Sequence, residues 1–241
     1  MSGAIVELVS KGVQDAYLTG VPEVSFFRQN YKKHTNFSTK PTKLNVIGNQ
    51  VNGGEILIPV PRKGDLLGQV WLHCPQGVDD NLGNSTVSLY IGGQKIDKQD
   101  VFYMMRLWNK FLANSGAKAM SVLTSESNDD TPMTDIMEST ILPLHFFFCD
   151  NETCSLPLVA MQYHDVEIRV KFDTGLTTPQ NINYYAEYMH LDQDERRYFA
   201  EGDHEILITQ VQKIGADNNG ADLSYLNHPV KCLLWGATGA L

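Results

Sequence analysis

Long apolar runs are missing from this 241-residue chain, and no stretch approaches the ~20 apolar residues that a membrane-spanning helix needs. The N-terminus carries Glu7, Lys11 and Asp15, charges that interrupt the apolar centre of a secretory signal. The expectation is a soluble chain made in the cytoplasm. Cysteine is scarce. Cys74, Cys149, Cys154 and Cys232 match no zinc spacing and no dense disulfide framework. Cys149 and Cys154 flank an expected turn and could pair in an oxidising setting, but free thiols suit cytoplasmic synthesis better. Positive charge is short as well. Nineteen Lys and Arg stand against 28 Asp and Glu, a net charge of -9, which is a poor balance for wrapping nucleic acid.

Catalytic signatures are absent too. There is no glycine-rich dinucleotide fingerprint after a strand, no phosphate-binding lysine loop and no serine elbow. His204-Glu205 begins like a zinc-protease helix, but Ile206-Leu207-Ile208 follows where the second histidine belongs. His145 and His164 bracket Cys149 and Cys154 at irregular spacing beside the apolar run 146–148, which favours core histidines and buried thiols over a metal. Asp129-Asp130 reads as solvated loop. Three glycosylation sequons start at Asn36, Asn84 and Asn151, and without a secretory signal they carry little weight.

What is present is a globular composition: 42% hydrophobic, 20% charged and 10% aromatic, enough for one sizeable core and one or two domains. Residues 28–43 hold five basic side chains (Arg28, Lys32, Lys33, Lys40 and Lys43) and no acidic one. A solvated loop is the plainer reading. The sharper one is contact with an acidic partner or an anionic membrane surface.

Ile5, Val9, Val13 and Ala16-Tyr17 recur at helical spacing, so residues 3–18 are expected to form a helix stopped by Thr19-Gly20. It packs on its own domain or reaches a neighbour as an arm. Strands follow over 43–50, 55–60, 67–74, 86–91, 94–96, 164–172, 182–191 and 205–211. In 164–172, Val166, Ile168, Val170 and Phe172 take one face and Asp165, Glu167, Arg169 and Lys171 the other, the pattern of a half-buried antiparallel strand. Gly92-Gly93 marks a tight hairpin. The apolar run 142–148 reads as a strand covered on both faces, and Leu156-Pro157 as the start of a turn or helix. Two insertions interrupt: a helix over 100–114, filled with Met and aromatic residues, and an acidic loop over 121–135. Many short strands with few helices argue for a sandwich or jelly roll.

Four segments, in order, carry a resemblance. The first is Gln14-Asp15-Ala16-Tyr17-Leu18-Thr19-Gly20-Val21-Pro22, continuing through Ser25-Phe26-Phe27-Arg28 and Tyr31 to His34-Thr35-Asn36-Phe37. The second is Arg62-Lys63-Gly64-Asp65-Leu66. The third runs from Leu142-Pro143-Leu144-His145 through Leu156-Pro157-Leu158-Val159-Ala160-Met161-Gln162-Tyr163-His164-Asp165-Val166. The fourth is Glu195-Arg196-Arg197-Tyr198-Phe199, leading to His204-Glu205 and His228-Pro229-Val230-Lys231. Together they resemble the N-terminal part of the double jelly-roll major capsid proteins of nucleocytoplasmic large DNA viruses, the algal-virus-like group above all.

The expectation is then an all-β fold: an antiparallel eight-stranded jelly-roll sandwich with a short N-terminal helix, helical insertions and the first strands of a second jelly roll. Residues 1–40 form an inner-face arm, 41–192 the first roll, and 193–241 a linker with the start of a truncated second roll. The chain stops where the family's second roll has barely begun, so a partial chain, a split gene or a truncated paralogue is expected. The resemblance implies a structural protein without enzyme activity, cofactor or metal. It implies homotrimers forming pseudo-hexagonal capsomers of an icosahedral shell, assembled in the host cytoplasm and located in the virion. Its partners would be itself, neighbouring capsomers and minor capsid proteins, with room for an inner viral membrane and no direct nucleic-acid contact. Arg28, Lys32, Lys33, Lys40 and Lys43 become inner-face or partner contacts. The alternatives are a minor or paralogous capsid protein, a sugar-binding jelly roll using Tyr184, Tyr185 and Tyr188, and a cupin-like metal enzyme.

Overall fold

The structure, a computed structural model, describes residues 3–10, 12–29, 31–74, 80–104, 107–108, 140–175, 181–215 and 220–234. The chain divides into two compact units, Met1–Thr35 and Asn36–Leu241.

The first unit holds two short helices, α1 (Gly3–Val9) and α2 (Asp15–Thr19), in place of the single helix expected over 3–18. Glycine disfavours a helix interior, and the Gly12 N–H donates to the Asp15 carboxylate at 2.9 Å instead of continuing the ladder. The stop lies where Thr19-Gly20 suggested, with the Gly20 N–H on the Ala16 carbonyl at 2.9 Å. None of the α2 residues is buried.

The second unit is a β sandwich. Its strands are β1 (Phe37–Lys43), β2 (Glu55–Val60), β3 (Leu66–Cys74), β4 (Thr86–Ile91), β5 (Gln94–Asp100), β6 (Thr140–Leu144), β7 (Leu156–Pro157), β8 (Val166–Lys171) and β9 (Asn183–Leu191). One sheet has the order β1-β9-β3-β6, with the two-residue β7 added beside β3, and the other the order β2-β8-β4-β5. Every pairing is antiparallel. The chain crosses between sheets from β1 to β2 to β3 to β4, returns from β5 to β6, and crosses again at β8 and β9. That wrapping of two four-stranded faces is a jelly roll.

Alternation explains the burial. In β8, Val166, Ile168 and Val170 are buried while Glu167 and Arg169 are half-exposed and Lys171 is exposed. Ile56, Ile58, Val87 and Leu89 continue that inner face across β2 and β4. Val70, Leu72, Leu142, Leu144, Tyr184, Ala186 and Tyr188 supply the facing layer. Each large apolar side chain so enclosed contributes about 1.5–3 kcal/mol. The β4–β5 hairpin turns on Gly92 (φ 58°) and Gly93 (φ 80°), the left-handed pair that a tight two-residue hairpin requires.

Several elements differ from the sequence expectation. The strand expected at 43–50 lies earlier, in β1, where Pro41 is tolerated because β1 is an edge strand. Residues 44–50 form no further strand: Ile47 makes an isolated bridge with Leu57, and the Leu44 N–H donates to the Tyr184 carbonyl at 2.8 Å. The run 142–148 is a strand only to Leu144, and Phe147–Cys149 then coil into a single helical turn whose three residues are buried. Leu156-Pro157 pairs with Leu66-Leu67 as β7. Residues 205–211 carry no ladder at all. Of the helix expected at 100–114, Asp100 ends β5, residues 101–104 and 107–108 are helical and the rest lie outside the described residues, as does the whole loop expected at 121–135.

Helix α3 (Gln193–Glu201) was not expected, though its start is legible. Asp192 caps it, its carboxylate accepting the Gln193 N–H at 2.8 Å, and Glu195 stands three residues further on.

Candidate assembly surface

The five basic residues are divided between the two units. Arg28, Lys32 and Lys33 belong to the first and are exposed. Lys40 and Lys43 sit on β1, in register with Tyr188 and Tyr185 of β9, and both are exposed. Their odd spacing sends them to opposite faces of the strand. The loop expected at 28–43 is therefore partly a strand.

Where the first roll ends, Asp65 gathers four chain segments. Its Oδ2 accepts the Leu191 N–H at 2.9 Å, and its Oδ1 lies 3.0 Å from Arg196 Nε on α3. Its backbone N–H donates to Met189, and its carbonyl accepts from Val159. Gly64 beside it is forced by space, because a Cβ there would stand 2.8 Å from the Cβ of Tyr188.

A second node covers the free edge of β5. Asp97, 4% exposed, accepts from the Val211 N–H at 3.1 Å, the Lys98 N–H at 2.8 Å and Gln99 Nε2 at 2.6 Å. Gln210 Nε2 donates to the Ile96 carbonyl, and Lys213 Nζ lies 2.5 Å from Asp100 Oδ2. Burial pushes the Asp97 carboxyl upward, and its three hydrogen bonds pull it back in part. The chain after α3 is thus strapped to an edge that would otherwise offer unpaired backbone groups. β5 bears Asp97 and Gln99 inward in place of apolar residues, a feature whose partner 114 residues away leaves no sequence signal.

Next to that node, Gln99 Nε2 also donates to the His145 carbonyl. The His145 ring packs tilted against Trp108 with ring centres 4.2 Å apart, and its Nδ1 lies 3.3 Å from Asp150 Oδ1. Desolvation lowers its pKa, Asp150 opposes that, and Lys231 adds to it.

Residues weighed for chemistry separate. All four cysteines are free, and burial pushes the Cys74 and Cys149 thiols up to about 12, where no reactive thiolate forms near neutral pH. His164 stands by the β4–β5 hairpin at Gly92, while His145 pairs with Asp150. His204 Nε2 donates to the Phe199 carbonyl at 2.8 Å at the end of α3. Among the described residues no group of three or more His, Cys, Asp or Glu is placed to hold a metal ion, and no helix is long and apolar enough to cross a membrane. Tyr184 and Tyr188 point into the core, whereas Tyr185 faces outward and stacks on Trp71 at 5.9 Å, so the three tyrosines form no common sugar platform.

A family model described as the major capsid protein N-terminus matches residues 25–197. The chain belongs to this family. A curated major capsid protein of Pyramimonas orientalis virus is 33% identical over 98% of this chain and 65% of its own length. The major capsid protein of Paramecium bursaria Chlorella virus 1 is 28% identical over 98% of this chain and 60% of its own length. In structure, PBCV-1 VP54, solved as a crystal structure and fitted into a reconstruction of the virophage Sputnik, superimposes with a TM-score of 0.64 at 25% identity. That match covers 78% of this chain and 50% of VP54.

The chain thus spans about 48–65% of the length of the curated capsid relatives it matches along nearly its whole extent. The matched stretch takes in both sheets and ends inside α3, so the Asp65–Arg196 pair falls within the capsid family region. Sequence reading flagged the segments of both residues, but not that they meet.

Proposed function

We propose that this chain supplies the first jelly roll of a structural capsid protein of a large DNA virus, one that trimerises into pseudo-hexagonal capsomers tiling an icosahedral shell. The observation that carries the reading is the coincidence of the family match at residues 25–197 with a complete two-sheet roll. Such a protein works through its shape, which agrees with a core of tyrosines, phenylalanines and aliphatic residues and with thiols held protonated by burial.

In this reading residues 1–40 are a contact arm, 41–192 the first roll, and 193–241 a link with the opening of a second roll. The link supports that division, because Leu207 (89% exposed) and Tyr225 (71%) leave apolar surface that further protein would cover. Arg28, Lys32, Lys33, Lys40 and Lys43 serve as inward contacts to minor capsid proteins and an inner membrane, with assembly in the host cytoplasm.

Mass spectrometry of purified virions, paired with cryo-microscopy of the particle, tests the proposal. The expected result is a dominant shell protein containing this sequence, in trimers whose interfaces each bury ~2,000 Å² or more. Low copy number would make it a minor or paralogous capsid protein. Absence from virions, or a stable monomer that binds glycans, would overturn the proposal.

A further inference from the structure

We infer that residues 25–33 form an aromatic and basic patch that inserts into the surface of an anionic lipid bilayer. The inference deepens the reading of residues 1–40 as a contact arm and rests on it. Phe26 and Phe27 stand at a turn and are 98% and 99% exposed, and Tyr31 is 86% exposed. Three full aromatic side chains in so short a segment leave a large apolar area in water. Arg28 follows Phe27 directly, and Lys32-Lys33 follow Tyr31. No acidic residue occurs between Glu23 and Glu55, although the chain as a whole carries -9.

This pairing of rings and cations suits the boundary between headgroups and acyl chains. Aromatic side chains settle at that depth, while Lys and Arg stay with phosphate and carboxylate groups. Charge complementarity selects an anionic surface over a neutral one. The described residues of the segment belong to no helix or strand, which leaves the rings and cations free to adapt to a lipid surface. Shallow insertion does not bury unpaired backbone, and one donor is already met locally, since the Phe27 N–H donates to Ser25 Oγ at 3.3 Å.

The test is cosedimentation of the full chain with vesicles of phosphatidylcholine, with and without phosphatidylserine. The expected result is binding only where phosphatidylserine is present, fading as salt rises. Each of Arg28→Gln, Lys32→Gln and Lys33→Gln should lower partitioning about fivefold, and the triple variant about a hundredfold. The pair Phe26→Ser with Phe27→Ser should also abolish most binding, with unchanged melting because both rings are exposed. Failure of the parent chain to bind, equal binding to neutral vesicles, or undiminished binding by the triple variant would each overturn the inference. Lipid-free self-association lost in the Phe26-Phe27 variant would overturn it too, by assigning the patch to a second copy. A chain that fills the shell yet ignores vesicles defeats this inference alone; one that binds vesicles yet is missing from virions defeats the shell reading alone.

Discussion

Arg196 Nε lies 3.0 Å from Asp65 Oδ1, so the turn before β3 is tied to the helix that follows the last strand of the roll. The other carboxylate oxygen takes the Leu191 N–H at the end of β9. One buried side chain thereby sets the direction in which the chain leaves the sandwich. For a protein read as the first of two rolls, that direction governs where the second begins.

The two partners should contribute unequally. Asp65→Ala strands the Leu191 N–H and removes the anchor of α3, and a buried unpaired donor costs about 1–3 kcal/mol. The Arg196 side chain is 63% exposed, so Arg196→Ala should cost under about 1 kcal/mol. Urea denaturation of both variants checks this, and equal losses would show that the ion pair, not the capped amide, dominates.

The sandwich was legible because its signal is local. The alternation of Val166, Ile168 and Val170 and the left-handed Gly92-Gly93 pair each specify structure within a few residues. β1 was misplaced because Phe37–Lys43 holds Pro41 and two lysines and buries none of its residues, so it shows no periodicity; its strand character comes from pairing with β9. The run 142–148 misled because burial on all sides suits a helical turn as well as a strand, and Phe147–Cys149 take the former. The strap at residues 210–213 was invisible for a different reason. It depends on Asp97, a polar residue buried only because a distant segment covers it. The basic residues were found as a cluster, yet composition alone could not reveal their division between two units.

Tyr184 and Tyr188 bury their rings in the core, and among the described residues neither phenol oxygen has a hydrogen-bond partner. Each hydroxyl therefore costs desolvation with nothing returned. Tyr184→Phe and Tyr188→Phe should be neutral or raise stability by about 1 kcal/mol each. Thermal melts of the single and double variants decide; a loss above about 1 kcal/mol would mean that an internal water satisfies the hydroxyl.

Asp97 should act as the clasp of the strap. A hydrogen bond to a charged group contributes about 1.5–3 kcal/mol, so Asp97→Ala should speed amide exchange at Val211 roughly tenfold to a hundredfold. With the β5 edge uncovered, the variant should also self-associate at high concentration, a change that light scattering would register. Unaltered exchange at Val211 would show that Gln210 and Lys213 hold the strap without it.

His145 should give the roll a stability that declines in mild acid. Desolvation beside Trp108 is the largest influence on the ring and holds its pKa below the usual 6.5, with Asp150 opposing and Lys231 reinforcing. Well above pH 6.5 the ring is neutral in both the folded and the unfolded chain and adds no pH dependence. As pH falls below that value the unfolded chain takes up the proton first, so stability is lost until the folded ring protonates as well. His145→Gln should flatten this part of the curve. Asp150→Asn removes the one influence that favours the imidazolium, so it should extend the loss to lower pH. Denaturation midpoints measured from neutral pH downward for the parent and both variants provide the check, and a parent curve parallel to that of His145→Gln would remove His145 as the source.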